Sequence, residues 1–216
     1  MTGQSSFKTR QLQFNRVRLA YDQVWPELRS GLQKTGVDGA FEMFIRAFKA
    51  EGKLELWLRS AGQQKFKLFR TYNFCAHSGN PGPKIKEGDL QTPEGFYYIN
   101  VFNPESLFHL SLGINYPNAT DLKRSAGQSP GGDIYIHGNC VTVGCIPLTD
   151  EKIREVYVLA VEAKACGQNE IPVYIFPFRM NGPNLEEYSN KWPAWKNFWN
   201  SLVPAYRYFE ERRMLL

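Results

Sequence analysis

Two side chains able to do covalent chemistry lie eight positions apart in one short stretch, His137 and Cys145. The stretch runs Asp133-Ile134-Tyr135-Ile136-His137-Gly138-Asn139-Cys140-Val141-Thr142-Val143-Gly144-Cys145. Its apolar opening has strand character and delivers His137 at a strand end. Gly144 then lets the backbone turn sharply just before Cys145. One tight loop can bring histidine and cysteine face to face. Cysteine gains most from a base at hydrogen-bonding distance, because the thiolate and not the thiol is the nucleophile. The same turn can aim the N–H groups of Gly144 and Cys145 at one point, as an oxyanion requires, each donor contributing on the order of a few kcal/mol. Thr142 either braces this turn or touches substrate.

Other readings of these residues compete. His137, Cys140 and Cys145 form a His-x2-Cys-x4-Cys run, and zinc accepts imidazole nitrogen and thiolate sulfur. The spacing is unlike that of zinc loops, however, and no second Cys/His cluster completes a tetrahedron. A zinc deaminase would carry glutamate two residues after its histidine, where this chain has Asn139. A core histidine with two inert cysteines is the third reading. Cys140 lies closer to His137 but lacks a preceding glycine turn, so it is assigned to packing beside the site. Arg179, after an apolar strand, is either a two-pronged holder of a substrate carboxylate or half of an ordinary ion pair. His77, beside Ser78-Gly79, is a lid residue or a plain surface histidine.

The surrounding elements follow from periodicity. Between Lys8 and Lys34 apolar residues recur at helical spacing, and Trp25-Pro26 predicts a break into two helical pieces. A further break is expected at 36–39. Phe41–Lys49 and Lys53–Arg59 alternate as strands around a Glu51-Gly52 turn. Lys65–Phe74, Phe96–Phe102, Leu107–Ile114 and Val173–Phe178 read as further strands, which puts His109 and Ser111 on one side of theirs. Ala76–Leu90 is a Gly/Pro-rich loop, and Thr120–Gly132 a polar one. Thr149-Asp150 open a helix that ends at Gly167. The tail from Asn184 reads as short aromatic helices. The expected class is α+β: a β-rich catalytic core over 41–180, a helical extension over 1–40, and a helical tail over 181–216.

Composition narrows the function. A chain of 216 residues with 43% apolar content can bury one sizeable core. The net charge of +5 is spread along the chain, and its densest basic patch, Lys84-Ile85-Lys86, stops at Glu87. With no nucleic-acid motif beside it, this pattern argues against nucleic acid as a partner. No run of about 18 apolar residues marks a membrane span. The first thirty residues lack the apolar segment of a signal peptide. Of the four cysteines, Cys75 and Cys166 are equally open to bridging or to lying reduced.

The His-Gly…Thr-x-Gly-Cys pattern resembles the catalytic motif of the L,D-transpeptidase (YkuD-like) domain family, and its short His-to-Cys interval resembles the YafK-like branch. Thr92-Pro93-Glu94-Gly95, His109-Leu110-Ser111, Tyr116-Pro117-Asn118, Gly167-Gln168 and Phe176-Pro177-Phe178-Arg179-Met180 agree in order, so the likeness spans about Phe41 to Met180. In the commoner form of the family a Ser-His-Gly precedes the cysteine and an arginine follows it. Here Val143 stands at that histidine's place, and Ile146-Pro147 follow Cys145. The resemblance implies a β-sandwich-like core that needs no cofactor or metal. It implies that Cys145 attacks the carbonyl at the L-centre of the diamino acid in a peptidoglycan stem peptide. His137 is then the base, oriented by a backbone carbonyl near Gly138, with His109 and Ser111 lining the cleft. The thioester would pass to an amine, giving a cross-link, or to water, giving an L,D-carboxypeptidase or an amidase that releases wall-attached lipoprotein. A non-catalytic peptidoglycan-binding module is the remaining alternative. The implied location is the periplasm or cell envelope, with the export signal not present in this chain.

Overall fold

Period-two alternation over Phe41–Phe48 (β1) and Lys53–Ser60 (β2) forms an antiparallel hairpin, paired from Phe41↔Ser60 to Phe48↔Lys53. The computed structural model describes residues 3–37 and 39–216, so Asp38, in the expected helix break, lies outside them. β3 (Lys67–Asn73) continues the sheet beside β2, and β8 (Pro172–Phe176) joins the other edge of β1 in parallel. β4 (Gly95–Asn103) changes partner along its length. Its first residues, Gly95 to Tyr98, pair with β8, whereas Ile99 to Asn103 pair with β5 (Ser111–Ile114) across an irregularity after Ile99. A bulge of this kind bends a strand, so the sheet curls at β4. β6 (Tyr135–His137) and β7 (Ile146–Pro147) complete the order β3-β2-β1-β8-β4-β5-β6-β7.

Both faces of β1 are covered. Phe41, Met43, Ile45 and Ala47 share a core with Ile153 and Val156 of α4 (Asp150–Ala165). Helices α1 (Gly3–Gln11) and α2 (Asn15–Thr35) lie on α4, where the Tyr21 hydroxyl donates to Glu162 at 2.8 Å and the Tyr157 hydroxyl to Gln11 at 2.7 Å. On the opposite face Phe44 and Phe48 meet Trp199, Tyr206 and Phe209 of α6 (Lys196–Arg212). That helix follows α5 (Gly182–Lys191) and a 3-10 turn at Pro193–Trp195. The result is the expected α+β domain, β-rich with helices at both ends. No helix among the described residues is long and apolar enough to cross a membrane.

A buried ion pair joins the layers. Lys49 Nζ donates to Glu94 Oε1 at 2.9 Å and to the carbonyls of Gly82 and Thr92 at 2.7 Å. The second Glu94 oxygen accepts from Trp199 Nε1 at 2.9 Å. This cluster clamps the Gly/Pro-rich loop between β1 and α6.

Three local expectations are corrected. Helix α2 runs unbroken through Pro26, and the break falls instead between Gln11 and Asn15. Pro26 is exposed, and the buried stripe of Val17, Tyr21, Leu28 and Leu32 holds the helix against the penalty of a proline interior. The polar loop at Thr120–Gly132 opens with a helix, α3 (Ala119–Arg124), because Asn118 and Asp121 form a reciprocal capping box. Strand β5 starts at Ser111, and His109 precedes it with φ 67°, so the two do not share a strand face.

Candidate active site

Strand register assembles the site. β6 and β7 run in parallel with Ile136 opposite Ile146 and His137 opposite Pro147. Cys145, the residue just before β7, therefore falls beside Tyr135 on β6, two residues before His137. The Tyr135 N–H donates to Cys145 Sγ at 3.3 Å, and the thiol points at the Asp133 carbonyl at 3.6 Å. On the other edge of β6, Ser111 pairs with His137 and is itself buried. The loop between His137 and Cys145 is tied at both ends, by Leu148 N–H to the His137 carbonyl (2.8 Å) and by Gly138 N–H to the Leu110 carbonyl (3.1 Å).

Two glycines are required by close approach. A Cβ on Gly138 would lie 2.6 Å from Asp150 Oδ1 and 2.9 Å from the Phe108 carbonyl. On Gly144, at φ +132°, it would lie 2.9 Å from the Gln91 carbonyl. The Gly-Cys turn is thus pressed against the end of the Gly/Pro-rich loop. A disulfide adds a second tie, since Cys140 in the loop between His137 and Cys145 is bonded to Cys75 beyond β3. This corrects the assignment of Cys140 to simple packing and the possible Cys75–Cys166 bridge. Cys166 is free and exposed, and Cys145 is free and half-buried. It also removes the zinc reading of His137, Cys140 and Cys145, because a disulfide sulfur is not a thiolate ligand.

The protonation states follow from surroundings. His137 Nδ1 lies 2.5 Å from the Gly138 carbonyl. A carbonyl only accepts, so Nδ1 carries the proton and Nε2 keeps its lone pair. Burial lowers the His137 pKa, opposed by that carbonyl, and the ring stays neutral near pH 7. Phe108 covers the ring at a centroid distance of 4.8 Å. Burial raises the Cys145 pKa, the Tyr135 N–H lowers it, the Asp133 charge raises it, and the Lys84 ammonium lowers it. Near pH 7 the Cys145 thiol and the His137 imidazole are therefore each neutral.

Other expected site residues lie differently. Thr142 Oγ1 donates to the Cys145 carbonyl at 2.8 Å and accepts from Gly144 N–H at 3.2 Å, so it braces the turn. That bond occupies the Gly144 N–H, and of the two expected oxyanion donors it leaves the Cys145 N–H the freer. His109 is turned toward α4, where Arg154 Nε donates to its Nε2 at 3.0 Å and Arg16 holds its carbonyl. Arg179 donates to Glu55 Oε1 at 2.6 Å and lies over Phe48, so its guanidinium is engaged in an ion pair on the α6 side of the sheet. Reading the sequence missed Lys84, Asp133, Gln91 and Asp150 (whose Oδ1 accepts from Asn139 N–H at 2.9 Å). Only Asp133 and Asp150 were near enough in the chain to be suspected.

Fold and site together define an α+β domain that carries a free cysteine beside the strand ending in a buried histidine, at one end of a curled sheet. Residues 44–175 match the family model YkuD, the L,D-transpeptidase catalytic domain. The chain is 37% identical over 173 residues to YafK of Escherichia coli (strain K12), a protein named only provisionally as an L,D-transpeptidase, covering 79% of this chain and 68% of that one. This protein belongs to the L,D-transpeptidase catalytic domain family. Its fold is similar to the crystal structure of the helical cell shape determining protein Pgp2 from Campylobacter jejuni, with TM-score 0.50 and 22% identity. That match covers 70% of this chain, which spans 55% of the Campylobacter protein.

Proposed function

We propose that the protein is a peptidoglycan-modifying cysteine enzyme that acts as an L,D-transpeptidase on stem peptides. The observation that supports this reading is the β6–β7 register, which sets Cys145 beside the strand that ends in His137, with His137 Nδ1 tied to the Gly138 carbonyl. The S–H swings from the Asp133 carbonyl to His137 Nε2, and sulfur attacks the carbonyl at the L-centre of the diamino acid. A C–S bond forms, the C–N bond to the terminal D-residue breaks, and His137 returns the proton to the leaving amine. The Cys145 N–H faces the tetrahedral oxyanion. An acceptor amine of a second stem then takes the acyl group, and the thiol is restored. Family membership supports a cell-envelope location. So does the Cys75–Cys140 disulfide, since such bonds persist in oxidising compartments.

Hydrolysis on the same thiol is the second reading, as a carboxypeptidase or as an amidase that releases wall-attached lipoprotein. The catalytic loop favours it, because Val143 is 74% exposed and Val141 51%, leaving water a path to a thioester. The test is a digest of tetrapeptide muropeptides and lipoprotein-linked sacculi by wild type and Cys145→Ala, read by mass spectrometry. Dimers linked between diamino acids and absent in the variant are expected. Loss of D-alanine or of protein without dimers makes the enzyme a hydrolase. No Cys145-dependent product overturns the enzyme reading in favour of a binding module.

A further inference from the structure

Across the Gly/Pro-rich loop from Cys145 lies a cleft of about 320 Å³ that the chemistry above does not use. His77, Ser78 and Asn80 of the loop form one wall, and Glu187, Lys191 and Trp192 of the α5 segment form the other. We propose that this cleft is a carbohydrate subsite that receives an N-acetylated sugar of a glycan strand. The identity of the strand rests on the peptidoglycan reading; the sugar chemistry rests on the cleft.

The charges in the wall cancel. Lys191 is matched by Glu187, and Lys49 beneath the cleft is already paired with Glu94. A phosphate-bearing ligand would call for surplus cations, and a lipid chain for an apolar lining. This wall instead mixes an amide, a hydroxyl, a carboxylate and an ammonium, which suits the hydroxyls and acetamido group of a neutral sugar. The Ser78 hydroxyl is buried and has no hydrogen-bond partner among the described residues. Buried hydroxyls in folded proteins are ordinarily bonded, so this one keeps an unused hydrogen-bonding capacity at the cleft wall.

The aromatic side is rigid. Trp192 stacks on Tyr188 at 5.5 Å and 14°, and Tyr188 stacks on Phe178 at 4.2 Å and 16°. An indole held in this way offers a flat apolar surface to the C–H face of a pyranose. Lys191 Nζ lies 4.5 Å over that ring on an exposed side chain, and it swings aside when the sugar docks.

The cleft is joined to the catalytic turn. Asn80 N–H donates to the Gln91 side-chain oxygen at 3.1 Å, and the Gln91 carbonyl is the atom nearest to where a Gly144 Cβ would lie. The α5 wall falls outside residues 44–175, the part that matches the family model, so the C-terminal tail supplies the platform.

The test titrates the Cys145→Ala protein with the tetramer of N-acetylglucosamine by calorimetry and by NMR. Saturable binding is expected, with Trp192→Ala weakening it by about three- to tenfold, the share of one aromatic contact. Trp192→Phe retains most of it, and Glu187→Gln at a folded, unstrained position weakens it independently. With Cys145 intact, Trp192→Ala raises KM for glycan-linked stems and leaves kinetics on sugar-free stem peptide unchanged. No saturable binding of the tetramer, or binding that Trp192→Ala and Glu187→Gln both leave unaltered, overturns the proposal. Equal damage on sugar-free peptide also overturns it and makes the cleft a peptide site. Both failures are separable from failure of the enzyme reading, which would appear as the absence of any Cys145-dependent product.

Discussion

Cutting the Cys75–Cys140 bond is the perturbation with the most legible consequence. The two residues are 65 positions apart, so the bond closes a long loop that includes β4, β5, β6 and the first residues after His137. The chain-entropy model for a loop of that size gives about 4 kcal/mol of stabilisation, and native disulfides generally deliver about 2–4. A domain has only about 5–15 kcal/mol in total, so the bond is a large share of it. For a chain of this length, the Cys75→Ala/Cys140→Ala double variant should melt about 4–16 °C lower than the oxidised protein. Thermal unfolding followed by circular dichroism measures the difference, and reductant should bring the wild type down to the double variant. Thiol titration of the unfolded oxidised protein should count two free thiols, Cys145 and Cys166. Four reactive thiols, or equal stability of the oxidised wild type and the double variant, would refute the reasoning.

Further expectations follow from individual contacts. Gly138→Ala forces a methyl against Asp150 Oδ1 and the Phe108 carbonyl. It should cost about 1–3 kcal/mol by urea unfolding, and because the Gly138 carbonyl holds His137, activity should fall further than stability predicts; full activity would sink this account of the loop. Glu94→Gln leaves the buried Lys49 ammonium without its carboxylate and should destabilise by about 3–5 kcal/mol; a wild-type denaturation midpoint would show that the pair carries no such weight. Because burial lowers the His137 pKa, kcat/KM should fall on acidification with a midpoint below the ordinary histidine value of 6.5. The same shift makes a stability contribution that is fully present above pH 6.5, where the unfolded histidine is also neutral, and is lost as pH falls toward the folded value. An acid limb centred above 6.5 would contradict both. Arg179→Met should lower stability through the loss of Glu55 pairing while leaving KM for stem peptide unchanged, and a raised KM would restore Arg179 to the substrate site.

Much of this protein is written in its local sequence. The β1–β2 hairpin, helix α4 and the His-Gly…Gly-Cys segment depend on periodicity, turn residues and glycine at fixed offsets, all of which act over a few residues. The placing of Cys145 beside the strand that carries His137 belongs here too, since eight residues leave a short loop few ways to close. Tertiary structure decided what depends on contacts between distant segments. Cys140 found Cys75 rather than packing unbonded, because β3 ends beside the loop between His137 and Cys145. Arg179 found Glu55, 124 residues away, and took the ion pair of its two expected roles. Pro26 stayed helical because the stripe beside it was buried, and His109 left its strand for a turn held by Arg16 and Arg154. Local propensity weighs a residue against its chain neighbours. A partner for a cysteine, an arginine or a histidine is set by which distant strands the curled sheet brings together, and no pattern along the chain records that.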